Sequence, residues 1–254
     1  MEAVHLKYLA VNPVDLQWGT AVNSVGFQEI APGMAYPPRN HPSRYIFTIE
    51  SGRVLEEYQL LYITEGRGKF YCQTLGRSKP LQVESGMMFL LFPGEWHSYH
   101  PDRQTGWKEY WIGFNGHFVD NLIERGFFSK DRPVFKVNIH EDIVAMYNDA
   151  INAAVRQESG FQQFLAGIVG RLLSLAYYYD RNSQYSEAGN RERARPLGSI
   201  VFSTTPAFLF AVAAVIYRRS SPGSGRGPAF SVLTSGVASG ILKPEAGVYA
   251  LLSM

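Results

Sequence analysis

The sequence predicts a mainly β domain, an antiparallel barrel or sandwich, followed by an antiparallel helical hairpin. Three observations carry that expectation. The 254-residue chain holds 15 Tyr, 16 Phe and 4 Trp, many of them in short runs, which is a β-rich composition. Turn chemistry recurs every several residues between those runs, leaving no room for crossover helices. Beyond residue 140 the hydrophobic period changes from two to about three and a half.

The predicted strands are Tyr58 to Thr64, Lys69 to Thr74, Leu81 to Glu84, Met88 to Phe92, Trp96 to His100 and Lys108 to Phe114. Gly66 with Gly68, Gly76 before Pro80, Ser85-Gly86, Pro93-Gly94 and Gly106 punctuate them as turns. Closing such a set of strands into a barrel removes exposed edges. Ahead of it, residues 1–43 are interrupted by Pro13, Pro32, Pro37, Pro38 and Pro42 and read as an irregular arm. The barrel is assigned to 44–137.

The helix pair is assigned to 138–181. In Glu141 to Gln157, Ile143, Tyr147, Ile151 and Ala154 recur at helical spacing, and Ser159-Gly160 ends the run. A second helix from Phe161 to about Tyr179 sets Phe161, Leu165, Ile168, Leu172, Leu175 and Tyr179 on a heptad-like seam. That seam suits packing against the barrel or an interface with another chain. Residues 182–196 are polar and read as a linker. From 197 to 254, Arg218, Arg219, Arg226, Lys243 and Glu245 are the charged residues, and no amphipathic period appears. The apolar run Ala207 to Tyr217 is short for a membrane span, so no membrane partner is expected.

Composition narrows function. A formal net charge of +2 announces no nucleic-acid surface. The single cysteine, Cys72, and the lack of a secretory pattern at the N-terminus point to a reducing cytoplasm, and no basic residue adjoins Cys72 in sequence to activate it. Of six histidines, only His97 and His100 sit together, and their spacing sends them to opposite faces of a strand. No metal site, catalytic residue or cofactor is therefore assigned. Strand alternation puts His97 and Tyr99 on one face, and Glu109 and Trp111 on the face opposite Lys108. With Lys108 outside, Glu109 and Trp111 look inward, a carboxyl for ligand hydroxyls and an apolar wall for a sugar ring. The plain alternative is a salt-bridged Glu109 and a core Trp111.

The ordered segments Tyr58 to Gly68, Val83 to Tyr99 and Trp107 to Phe114, with the helix pair behind them, resemble the cupin-type (jelly-roll) effector domain of AraC-family transcription regulators. The likeness runs from about Arg53 to Tyr179. It implies a small-molecule effector, often a sugar, held in the barrel under an N-terminal arm, and a homodimer through the helix pair. By this resemblance Tyr99 and Trp111 match sugar-contacting positions in family members that bind arabinose. Glu109 stands where those members have histidine. Arg53 takes the part of the family's ligand-binding arginine, with Arg44 as competitor, and His97 completes the set. The family also implies two helix-turn-helix units that bind DNA. The 197–254 segment lacks their charge and periodicity, so a frameshift or truncation near Arg195 is expected, with no DNA-binding residue assigned. A cupin enzyme acting on a sugar, metal-dependent or acid-base, is the alternative function.

Overall fold

In the computed structural model, residues 4–37 and 47–193 are described, with side chains through Tyr185. Nine strands and four helices follow in chain order among them: β1 (Val4–Tyr8), α1 (Pro13–Leu16), β2 (Ala21–Ile30), β3 (Arg53–Val54), β4 (Tyr58–Cys72), β5 (Leu81–Glu84), β6 (Met87–Leu91), β7 (Trp96–Pro101), β8 (Trp107–Asn115), α2 (His117–Glu124), β9 (Val134–Lys136), α3 (Glu141–Arg156) and α4 (Phe161–Arg193).

All strand pairings are antiparallel, and they form two sheets that share one strand. The first sheet runs β1-β2-β8-β4-β6-β9. In the second, β4 pairs with β5 on one side and β7 on the other, and β3 pairs with β7. The first half of β4 belongs to the first sheet, from Tyr58↔Phe114 to Gly66↔Trp107, and the second half to the other, from Gly68↔Pro101 to Cys72↔His97. A register shift between Ile63 and Glu65 marks the crossing.

Side-chain alternation along β4 then sorts the core. Leu61 and Ile63 point between the two sheets, where Phe70, Phe89, Tyr99, Trp107 and Trp111 join them. Leu60 and Tyr62 point the other way, toward α3 and α4. The first sheet is thus buried on both faces. On the helical side Ile143, Tyr147, Leu165, Val169, Leu172 and Ala176 are fully buried, and each large aliphatic side chain so placed contributes about 1.5–3 kcal/mol.

Four expectations need correction. Gly66 and Gly68 are not a turn but the bend within an unbroken β4. A Cβ on Gly66 would stand 2.1 Å from the Gly106 carbonyl oxygen, and its φ is +79°, so glycine permits the close passage of two backbones there. The 1–43 segment is not irregular throughout: β1 and β2 lie within it, and β2 pairs with β8 along its whole length. Two of its prolines fall at the edges of these elements, Pro13 opening α1 and Pro32 following β2. The second helix continues past Tyr179 to Arg193, so most of the predicted linker is helical. Finally, the β3, β9 and α2 segments escaped the sequence reading, being short or flanked by turn residues.

The seam residues Leu165, Ile168, Leu172 and Leu175 are buried within the chain. Arg44 and the 197–254 tail lie outside the described residues. No described helix is long and apolar enough to cross a membrane.

Candidate ligand-binding site

The inner faces of the two sheets bring Arg53, Tyr99, Glu109 and Trp111 around one chamber, whose remaining lining includes Tyr8, Tyr36, Phe47 and Gln59. Arg53 arrives on the two-residue strand β3, which is placed by its pairing with His97 on β7. Its Nη2 donates to the Tyr99 hydroxyl at 2.7 Å and to Gln59 Oε1 at 3.4 Å, and its Nε donates to His97 Nε2 at 3.2 Å. The guanidinium lies 4.8 Å from the Phe47 ring centre, a cation-π contact that orients the charge toward the chamber.

His97 stands behind Arg53 and does not line the chamber. It is 1% exposed, with Nδ1 3.1 Å from the Glu95 carbonyl oxygen. A ring that donates there and accepts from Arg53 is neutral, and burial reinforced by the Arg53 charge pushes its pKa down to about 3. His97 therefore sets the position of Arg53.

Glu109 sits on β8 and is 3% exposed. Burial pushes its pKa up to about 8, against the opposing pull of Arg53 and of the Tyr36 hydroxyl, so the acid form prevails at neutral pH. A neutral carboxyl both donates and accepts, which matches a hydroxyl on a ligand. Two residues on, Trp111 shares its face and lies across Gly26, its register partner on β2. A Cβ on Gly26 would stand 2.3 Å from the indole, so that glycine makes room for the ring. Burial likewise raises the Tyr99 hydroxyl to about 12.

The residue that the sequence reading missed is Tyr36. Its ring stands in the chamber, edge-on to Trp107 at 5.9 Å and to Phe47 at 6.2 Å, and tilted to Tyr99 at 6.0 Å. With it there, the free space is about 20 Å³, room for one water. Its signal in sequence was weak, a lone tyrosine between Ala35 and Pro37 in a proline-rich stretch. Gln59 was also missed; it extends the inward polar chain from Arg53 toward Ser24 and the buried Glu57. Among the described residues no three His, Cys, Asp or Glu side chains gather as a metal would require.

The similar solved structures include the protein YhaK from Escherichia coli, at 17% identity and a TM-score of 0.32, covering 45% of each chain. A predicted oxalate decarboxylase from Thermotoga maritima is 16% identical with a TM-score of 0.28, covering 43% of this chain and 78% of that one. The Cnp3 cupin domain of Schizosaccharomyces pombe is 13% identical with a TM-score of 0.29, covering 50% and 73%. The chain thus spans less than half the length of YhaK. No curated protein matches. The stronger finding is at the level of family, where residues 39–195 match the AraC-like ligand binding domain, a span that takes in both Arg53 and Glu109, and the chain belongs to that family.

Proposed function

We propose that this domain senses a small polyhydroxylated molecule, a sugar or sugar acid, which takes the place of Tyr36 inside the barrel, and that it reports binding as part of a transcription regulator without catalysing a reaction. The observation that carries the reading is the convergence of Arg53, Tyr99, Glu109 and Trp111 on a space now filled by a side chain from outside the barrel strands. Arg53 and the neutral Glu109 supply donors for ring and hydroxyl oxygens, and Trp111 supplies an apolar wall. A thermal-shift screen over sugars and sugar acids tests it, since a ligand that binds the folded state raises its melting temperature. The expected result is a compound whose stabilising effect is lost in Arg53→Ala. A screen without any such compound defeats the reading.

The enzyme alternative has one observation in its favour, a buried carboxyl held as the acid near neutral pH, which is the state of a general acid. We expect binding without turnover. Product appearing from a bound sugar, and vanishing in Glu109→Gln, would favour the enzyme.

The homodimer is proposed through the outer face of α4. The inward seam is spent on the barrel, whereas Phe164, Tyr178 and Tyr185 are 54%, 60% and 74% exposed at helical spacing. The low charge of 197–254, rich in Gly, Ser, Ala and Pro with no amphipathic period, supports no recognition helix for DNA in this chain.

A further inference from the structure

A second void lies at the end of the barrel where β2 and β7 finish and β8 begins. It is an open cleft of about 670 Å³, within the size range of small-molecule sites, whereas the chamber beside Glu109 has about 20 Å³ free. Its walls are fixed. The Asp102–Gly106 turn closes on itself through the Gly106 amide donating to the Asp102 carbonyl at 2.8 Å, and Gln104 N donates to the Asp102 carboxylate at 2.8 Å. The Gly33 amide donates to the Arg103 carbonyl at 2.8 Å, tying the segment after β2 to that turn. At the base, Gly68 has no space for a side chain, since a Cβ would stand 2.3 Å from the His100 carbonyl oxygen.

The chemistry of the lining is two-sided. Ile30, Met34, Ile49 and Pro101 give it an apolar floor. The rim carries Arg67, Lys69, His100 and Arg103, with Asp102 as the acid among the lining residues. Asp102 is already matched to Arg67 at 3.0 Å, and this bond and its backbone donor hold its pKa below the usual carboxylate value. Lys69 and Arg103 make no ion pair with any described residue, and Asp102, whose carboxylate also feels Lys69, is one acid among three basic neighbours, so the cleft keeps a net positive rim beside an apolar surface. Tyr36 lines both this cleft and the inner chamber, and so stands as the wall between them.

We propose that this cleft is a second ligand site, separate from the barrel chamber, that takes a small organic carboxylate with an apolar body. The carboxylate sits between Lys69 and Arg103, and the body lies on Ile30, Met34 and Ile49. The proposal stands independently of what the chamber binds.

The probe pair is 2-naphthoate and its neutral isostere 2-naphthamide, titrated into the full chain by calorimetry. Naphthoate is expected to bind saturably, and the amide to bind about tenfold more weakly or worse, because it forfeits the charge-assisted bonds. Both cations lie at the exposed rim, so Lys69→Ala/Arg103→Ala leaves the fold intact and is expected to weaken naphthoate by about tenfold while leaving the amide unchanged. Glu109→Gln, inside the chamber, leaves naphthoate affinity unaltered. Absent saturable binding, equal affinity for acid and amide, indifference to the double substitution, or loss of affinity in Glu109→Gln would each overturn the assignment.

Discussion

The Tyr36 hydroxyl stands 3.4 Å from both carboxyl oxygens of Glu109, in the middle of a barrel to which Tyr36 contributes no strand. Both contacts are long for hydrogen bonds, and the hydroxyl also bonds to that of Tyr99, so the ring is held by this polar contact together with packing against Trp107, Tyr99 and Phe47. A ligand in the chamber has to displace it. The apparent affinity is then reduced by the fraction of molecules with the ring in place. Tyr36→Ala is therefore expected to tighten binding of a sugar or sugar acid found by the screen, by about threefold to tenfold in calorimetry. Weaker binding in this variant would make Tyr36 part of the ligand contact instead.

Glu109 carries a pH signature with a definite sign. Its pKa rises from 4.5 to about 8 on folding, so the folded chain binds more protons than the unfolded one across that window. Stability falls as pH rises from about 4.5 to 8, with a slope of at most about 1.4 kcal/mol per unit from this one group. Glu109→Gln keeps the shape of the neutral acid and removes the slope. Urea unfolding at pH 5, 6, 7 and 8 checks it: the midpoint of the variant should decline less than that of the parent.

His97 has the opposite sign. Its pKa falls from 6.5 to about 3, so the folded form excludes a proton that the unfolded form takes up, and stability is lost as pH drops through that interval. His97→Gln should flatten the acid limb of the same profile while leaving the limb between pH 7 and 8 untouched.

Trp111→Ala separates a pocket wall from a core filler. Removal of an ordinary buried Trp costs about 3–5 kcal/mol. With one side facing the chamber, Trp111 should cost less than about 3 kcal/mol in urea unfolding, and ligand affinity should fall by tenfold or more. A folded variant with unchanged affinity removes the ring from the site.

Asp180 on α4 reaches across to the β9 segment, accepting from the Lys136 amide at 3.1 Å and from the Arg132 guanidinium, with Gln184 Nε2 adding a bond at 2.8 Å. Asp180 is 6% exposed. Asp180→Ala should destabilise the domain by about 1–3 kcal/mol, and hydrogen exchange should quicken at Lys136 before it does in β4. On the outer face of the same helix, Tyr178→Glu should dissociate the proposed dimer in analytical ultracentrifugation without lowering the melting temperature of the monomer.

Legibility in the sequence followed local chemistry. Strands β5 to β8 were readable because each is a short aromatic or branched run with Gly or Pro at its edges, and the facing of Glu109 and Trp111 followed from parity against Lys108. What failed was non-local. The sequence of β2 mixes Asn23, Ser24, Gly26 and Gln28 with apolar residues, a composition that says little until β8 is seen beside it. Gly66 and Gly68 imitated a turn because a bend between two sheets needs the same residue. Arg53, His97, Tyr99, Glu109 and Trp111 do come close together, yet His97 contacts Arg53 and does not line the chamber, a distinction that depends on which nitrogen faces which partner. Tyr36 lay beyond reach, since nothing local says that a tyrosine before Pro37 will enter a barrel.

The shared strand has a consequence for synthesis. β4 needs β8 for one of its edges, and β2 needs β8 as well, with Ala21 opposite Asn115. A ribosome must therefore deliver roughly the first 115 residues before the first sheet has its middle, and the α4 side chains that cover it come some 50 residues later still. Until then β2, half apolar and unpaired on that edge, is open to other chains. Nascent fragments that stop short of Trp107 should accumulate on chaperones, and those that end after Tyr179 should not.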